Sequence, residues 1–378
     1  MEEHWAMIWH QAITGSLFEG KAFGWDKTCV FQVKSPVSGN AIRLKFSNRN
    51  GKAAYEFGAV RVYVNGQSAS VCLNGKDSFS IPVGGIIVSD PCGLSVSEGA
   101  EIQLRMYYTN AVLDSNMIEE DANLLPGNRT MTRGNEKIRR LVLAKLLGAY
   151  NAIPSLEAIE ICTQEPAKAI VAFGDSITAM SRWTKPLARR LAGAYGGEFV
   201  LLNSGISGNC LLYEPKGMFG PVFGDMGTKR FQRDVLDIPN LNTVIIGLGV
   251  NDVSYLSDKT SEQLSVERFR KAVTEIVNEL HAKGVRVVMQ TISPRLGVAR
   301  TLGKYTKDME KLRLQYNAWI RSAEIFDYVF DAEAVVREER PDGLYYAEGL
   351  HQGDHLHPNT KGGQKLAEAY NLQELTGK

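Results

Sequence analysis

The hydrophobic rhythm of this 378-residue chain changes once along its length, and that change limits it to a two-part fold. In the first 150 residues apolar side chains recur at every second position. Ile42, Leu44 and Phe46 alternate with Arg43 and Lys45; Val60, Val62 and Val64 with Arg61 and Tyr63; Ile102, Leu104 and Met106 with Gln103 and Arg105. A period of two belongs to a strand with one face buried and one in water. Asn50-Gly51, Asn65-Gly66, Asn74-Gly75, Gly84-Gly85 and Asp90-Pro91 supply turns between such strands. Strands this close, with no helical run between them, predict an antiparallel, jelly-roll-like β-sandwich over residues 1–150.

After residue 165 short apolar runs alternate with helical stretches. Ile170–Phe173, Phe199–Leu202, Thr243–Ile246, Val285–Ile292 and Tyr328–Phe330 read as buried strands. Helical patterns fall near 182–194, 261–283 and 307–322, and from Pro358 to about Asn371; Gly284 after Lys283 is a good helix stop. Alternating strands and helices predict a parallel sheet covered on both faces, an α/β/α domain over 165–378. Right-handed crossovers bring its strand ends to one edge. Between the two parts, residues 111–140 are polar and irregular, 138–152 weakly helical, and Ser155–Cys162 reads as one last strand. Asn128-Arg129-Thr130 fits a glycosylation acceptor but reads more simply as polar loop.

A net charge of +1 gives no case for nucleic acid or an anionic membrane as partner. No apolar run has the length of a membrane span, and Met1-Glu2-Glu3-His4-Trp5 is not the start of a signal peptide. Five scattered cysteines, with no C-x-x-C pair, argue against a disulfide framework and a zinc site. The expectation is a cytoplasmic protein with free thiols.

The chemistry-bearing residues follow the strands of the second half. Gly174-Asp175-Ser176 breaks the first strand just before a helical pattern. A serine there has its hydroxyl held at the carboxyl edge of the sheet, and its own N–H can donate to an oxyanion. The same residues also make an ordinary helix cap. Asn203-Ser204-Gly205-Ile206-Ser207-Gly208-Asn209 follows the second strand, where glycines let backbone approach a substrate and aim an N–H at it. Gly247-Leu248-Gly249-Val250-Asn251-Asp252 follows the third. It lacks the third glycine of a dinucleotide loop, and is either a plain turn or a means of pointing the Asn251 amide into a site.

Near the end, Gly353-Asp354-His355-Leu356-His357-Pro358 sets Asp354 three residues before His357. That spacing lets the carboxylate meet the imidazole Nδ1–H and leaves Nε2 to take a proton from Ser176, which needs such a base. Asp354, His355 and His357 could instead hold a metal. His281, His4 and His10 suit surface or capping roles.

Together these segments resemble the four blocks of the SGNH hydrolases, or GDSL esterases: Gly174-Asp175-Ser176-Ile177-Thr178, Gly208 within Ile206–Asn209, Gly249-Val250-Asn251-Asp252, and Asp354-His355-Leu356-His357. The resemblance covers about residues 165–372. It implies a flavodoxin-like three-layer domain, with Ser176 as nucleophile, His357 as base and Asp354 as orienting acid. The oxyanion hole would be the Ser176 and Gly208 N–H groups and the Asn251 amide, with no cofactor and no metal. The front half is similar to the β-sandwich preceding this domain in some bacterial members, through Leu44-Lys45-Phe46-Ser47-Asn48-Arg49-Asn50-Gly51 and Val88-Ser89-Asp90-Pro91. Such members resemble acyl esterases of plant-polysaccharide breakdown, which implies deacetylation of a sugar or oligosaccharide. A lipid or thioester acylhydrolase, or an inactive sugar-binding protein, are the alternatives. The extra His355 and the insert from Leu211 to Arg230 depart from the barest family pattern.

Overall fold

Residues 3–15, 27–110, 122–126, 153–217, 220–254, 265–298 and 305–378 are described by a computed structural model of the chain. One compact unit comprises 1–168 with 195–202 and 216–224; the other comprises 169–194, 203–215 and 225–378.

The alternating runs of the first unit form antiparallel strands. These are β1 (His4–His10), β2 (Lys27–Lys34), β3 (Ala41–Ser47), β4 (Tyr55–Val64), β5 (Gln67–Ser70), β6 (Phe79–Ile81), β7 (Ile86–Val88), β8 (Glu101–Asn110), β9 (Ala122–Pro126) and β10 (Leu156–Thr163). One sheet has the order β1-β10-β3-β7; the other runs β5-β4-β8-β2-β9, with β6 paired to β4. Val64 pairs with Gln67 across Asn65-Gly66, and both turn residues have positive φ (49° and 79°), the backbone that matches strand twist in a tight hairpin.

The apolar members of each alternation, such as Leu44, Phe46, Val62 and Leu104, are fully buried. They meet between the sheets, where the Trp9 ring lies 4.9 Å from Phe31 and Phe46 lies 5.2 Å from Phe57. Strand β10 falls outside both expected domain ranges, yet it is a central strand of the first sheet. His10 is buried, which contradicts the surface role, one of the two expected of it. Strand β9 lies within the stretch expected to be irregular and pairs with β2. The rest of that stretch, including Asn128–Thr130 and the weak helix, lies outside the described residues.

The second rhythm gives a five-stranded sheet of order β12-β11-β13-β14-β15, from β11 (Lys168–Gly174), β12 (Phe199–Asn203), β13 (Leu241–Gly247), β14 (Arg286–Gln290) and β15 (Tyr328–Phe330). Strands β11, β13, β14 and β15 are parallel neighbours, and Gly174 stands level with Gly247 at the carboxyl edge. The helices are α1 (Ser176–Ala179), α2 (Thr184–Tyr195), α3 (Gly227–Phe231), α4 (Val250–Ser254), α5 (Val266–Ala282), α6 (Lys307–Ser322), α7 (Ala332–Val336), α8 (Thr360–Ala369) and α9 (Leu372–Thr376).

Helix α5 buries Phe269, Val273, Ile276, Val277 and Leu280, one stripe at helical spacing. The Ser265 hydroxyl caps it, accepting from the Arg268 N–H at 3.2 Å, and Gly284 (φ 71°) follows its end. The helix after Pro358, α8, stops at Ala369, short of the expected Asn371, and α9 follows it. Tyr370 turns extended, with its ring buried against Phe330 (3.7 Å) and Trp183 (5.7 Å), and Asn371 caps α9. A hairpin of β16 (Arg337–Arg340) and β17 (Gly343–Tyr346), which the rhythm does not predict, precedes the histidine loop. Among the described residues no helix is long and apolar enough to cross a membrane.

Candidate active site

Strand β11 ends at Gly174, and the chain turns at once into α1. The Asp175 carboxylate accepts the Ile177 N–H at 3.0 Å, so the helix cap and the presentation of Ser176 belong to the same turn. Ser176 Oγ lies 2.7 Å from His357 Nε2, and His357 Nδ1 lies 2.6 Å from Asp354 Oδ2. The carboxylate makes Nδ1 the protonated nitrogen and leaves the Nε2 lone pair facing the serine hydroxyl.

Asp354 is held from several sides. Its Oδ1 accepts the N–H groups of Leu356 (3.0 Å) and His357 (2.9 Å), and Gln352 Nε2 donates to Oδ2 at 2.9 Å. Burial works to raise its pKa, but the hydrogen bonds from His357 and Gln352 hold it well below the usual carboxylate range. Arg182 Nη1 donates to Gln352 Oε1 (2.8 Å) and to the Pro358 carbonyl (2.6 Å), tying the loop to the segment after α1.

Asp175 differs. It is buried, and burial pushes its pKa up to about 7 against the opposing pull of the Ile177 N–H and Arg295. It borders a cavity of about 30 Å³ lined also by Ile177, Trp183, Val250, Gln290 and Ile292. That is room for a water molecule.

On the other side of Ser176, Ile206–Asn209 forms a turn closed by the Asn209 N–H on the Ile206 carbonyl (3.1 Å), with Gly208 at φ 76°, a backbone that favours glycine. Gly205 is also required: a Cβ there would overlap the backbone nitrogen of Ala179. Asn251 Nδ2 donates one hydrogen to the Asn209 carbonyl at 3.0 Å. Its neighbour Asp252 accepts the N–H groups of Leu211 and Leu212, both at 2.8 Å, and so pins the start of the Leu211–Arg230 insert.

The metal arrangement weighed for Asp354, His355 and His357 does not form, because Asp354 and His357 are engaged with each other and Ser176. The atoms that do converge, within 4.8 Å, are those of Glu348, His351 and His355. His351 Nδ1 accepts the N–H groups of Gly353 (3.0 Å) and His355 (3.2 Å), which places its proton on Nε2, the atom turned toward Glu348. A protonated nitrogen donates and does not ligate. His351 thus shapes the loop carrying Asp354 and His357.

Motif reading misses His351, Gln352, Arg182, Asn209 and Arg230. The first two lie just ahead of the last block, beside the residues it highlights. Arg230 carries no motif signal, since an arginine four residues before Asp234 reads as an exposed helical pair.

The chain matches the GDSL-like lipase/acylhydrolase family over residues 172–365. Among solved structures it is similar to the native M. smegmatis aryl esterase, at 19% identity and TM-score 0.41, covering 55% of this chain and 100% of that one. It is similar also to a carbohydrate acetylesterase from Sinorhizobium meliloti (16%, TM-score 0.39, 53% and 95%). A third is an acetyl xylan esterase from Geobacillus stearothermophilus (20%, TM-score 0.41, 55% and 94%). Comparison with curated protein sequences gives no match. With the family pattern spanning half of its length, this chain belongs to the GDSL-like lipase/acylhydrolases.

Proposed function

We propose that the protein is a serine esterase that removes short acyl groups, acetyl above all, from carbohydrate alcohols through a covalent acyl-enzyme. The observation that carries this reading is the unbroken hydrogen-bonded chain Ser176–His357–Asp354. Ser176 Oγ attacks the acyl carbonyl as His357 Nε2 takes its proton, and Asp354 supports the imidazolium. The oxyanion of the tetrahedral intermediate is received by the Ser176 and Gly208 N–H groups and by the second hydrogen of the Asn251 amide, the first being held by Asn209. The intermediate collapses, the sugar alcohol leaves with the proton from His357, and water repeats the sequence on the acyl-enzyme.

No metal or cofactor enters these steps. Specificity for a carbohydrate alcohol is supported by the likeness of the front half to the accessory sandwich of polysaccharide-deacylating esterases. We read that front half, through Thr163, as the accessory domain and 165–378 as the catalytic one. The five free cysteines support a cytoplasmic site of action, where imported oligosaccharides would be the substrates.

A fluorophosphonate should label Ser176 stoichiometrically, and Ser176→Ala should abolish both labelling and release of p-nitrophenol from its acetate ester. Acetate should be released from acetylated xylo-, manno- or pectic oligosaccharides. Labelling at another serine would refute the nucleophile; cleavage of long-chain lipid esters in preference to all three sugars would refute the substrate class.

A further inference from the structure

We infer that Arg230 is the positioning residue of the oxyanion hole: from one buried point its guanidinium holds the loop ends that present the Ser176 N–H, the Gly208 N–H and the Asn251 amide. The inference rests on reading those three groups as the oxyanion hole.

Arg230 is completely buried. Its Nη2 donates at 2.9 Å to the Gly174 carbonyl, two residues before the nucleophile, and that carbonyl also takes the Ile206 N–H at 3.0 Å. Its Nη1 donates at 2.9 Å to the Ser204 carbonyl, where β12 has given way to the glycine loop. Its Nε donates at 2.9 Å to Asn209 Oδ1, and the main-chain carbonyl of Asn209 receives Asn251 Nδ2. Arg230 therefore touches the end of β11, the beginning and end of the Gly208 loop and, through Asn209, the Asn251 amide. It does not reach the oxyanion position itself.

The charge is accommodated by Asp234, at 3.1 Å on Nη1, and by the Phe173 ring 4.2 Å below the guanidinium. Burial lowers the Arg230 pKa to about 10, which leaves it cationic at neutral pH. Only arginine fits the task. Three acceptors spread around one plane suit a rigid fork of five N–H donors, whereas a lysine offers a single point.

A buried cation is a weak source of stability, since well-packed apolar residues often serve as well. The choice of acceptors points to geometry as its purpose: apart from Asp234, each belongs to a loop end of the site. Donors to an oxyanion accelerate a reaction only when set in place beforehand, and a rigid shared anchor keeps donors from separate loops in register.

The test is a double-mutant cycle. Arg230→Lys, Asn209→Ala and Asn251→Ala are made singly, and each of the first two is combined with the third. We would measure kcat and KM on p-nitrophenyl acetate, melting temperature, and inhibition by phenylboronic acid, which forms a tetrahedral adduct on the nucleophile. Arg230→Lys should lower kcat about 10- to 100-fold with KM within about threefold, and weaken the boronate by a similar factor. Combined with Asn251→Ala, the loss should fall well short of the product of the single losses, because both act on one hole.

Fully multiplicative losses, or a kcat per folded molecule that Arg230→Lys leaves intact while the melting temperature drops, would overturn the inference and leave the oxyanion reading standing. If Arg230→Lys does not fold, Asn209→Ala, which removes one strut of Arg230 together with the Asn209 Nδ2 bond to the Asp225 carbonyl, decides by the same two outcomes. An Asn251→Ala enzyme with undiminished kcat would remove the oxyanion reading itself, and the inference with it.

Discussion

The two sides of Ser176 are built in opposite ways. The side we propose for acid–base chemistry is a loop, Gln352–Pro358, whose key carboxylate is largely buried and held by backbone N–H groups, an amide and its histidine. The side we propose for the oxyanion is organised around a fully buried guanidinium and glycines that admit no side chain. One side is assembled mainly from hydrogen bonds within a few residues, with Arg182 as its distant tie; the other draws on segments from 174 to 251. Damage to the first should therefore cost chemistry with little stability, and damage to the second should cost both.

The largest expected break is His357→Ala. Removal of the base from a serine hydrolase lowers kcat by about 10⁶, and here the melting temperature should barely move. Asp354→Asn comes next, with a loss of about 10⁴. The asparagine oxygen can still accept from Leu356 and His357, so folding should be preserved; a large fall in melting temperature would show that the loop is less self-contained than its hydrogen bonds suggest. On the proposed role of its second amide hydrogen, as a donor to the transition state alone, Asn251→Ala should lower kcat by about 10²–10³ with KM nearly unchanged. A lower melting temperature with intact kcat would make Asn251 a turn residue.

The smallest effect sharpens the contrast through pH. Asp354, with its folded pKa depressed, contributes stability that is present above the unfolded carboxylate pKa of ~3.9 and is lost as pH falls below it. Asp175 acts with the opposite sign. Its pKa is raised to about 7 in the fold, so its ionisation costs stability as pH climbs from ~4 through about 7. Asp175→Asn keeps an acceptor for the Ile177 N–H and removes that cost. It should raise the melting temperature by a few degrees at pH 8 and by less at pH 5. An equal gain at both pH values would mean that Asp175 does not carry the cost.

Much of this was legible in the residues. The two hydrophobic rhythms gave both sheet types, because burial on one face and burial on two faces impose different periods on Leu44 and on Val244. Ser176, Asp354 and His357 stood out through their place just past a strand or just before the Pro358 helix and through the three-residue spacing of Asp354 and His357, and the fold brings all three together. Arg230 did not stand out. Its burial is decided by carbonyls at 174 and 204, and by Asn209, which it meets only after the chain has folded. The hairpin Arg337–Tyr346 was illegible for a related reason: its strands carry charges and no sustained alternation. The early end of α8 depends on a cavity-filling ring, Tyr370, whose partners Trp183 and Phe330 lie far away in sequence.

Strand β10 imposes an order on synthesis. It stands between β1 and β3, so His4 waits for Thr163 and Phe46 waits for Leu156. As the chain leaves the ribosome, two early strands each keep an open hydrogen-bonding edge for more than a hundred residues of elongation. Open edges are where chains adhere to one another. The sheet closes only five residues before Lys168 begins the next one. A chain stopped at residue 150 would not be a smaller domain. It would be a sheet with its middle missing.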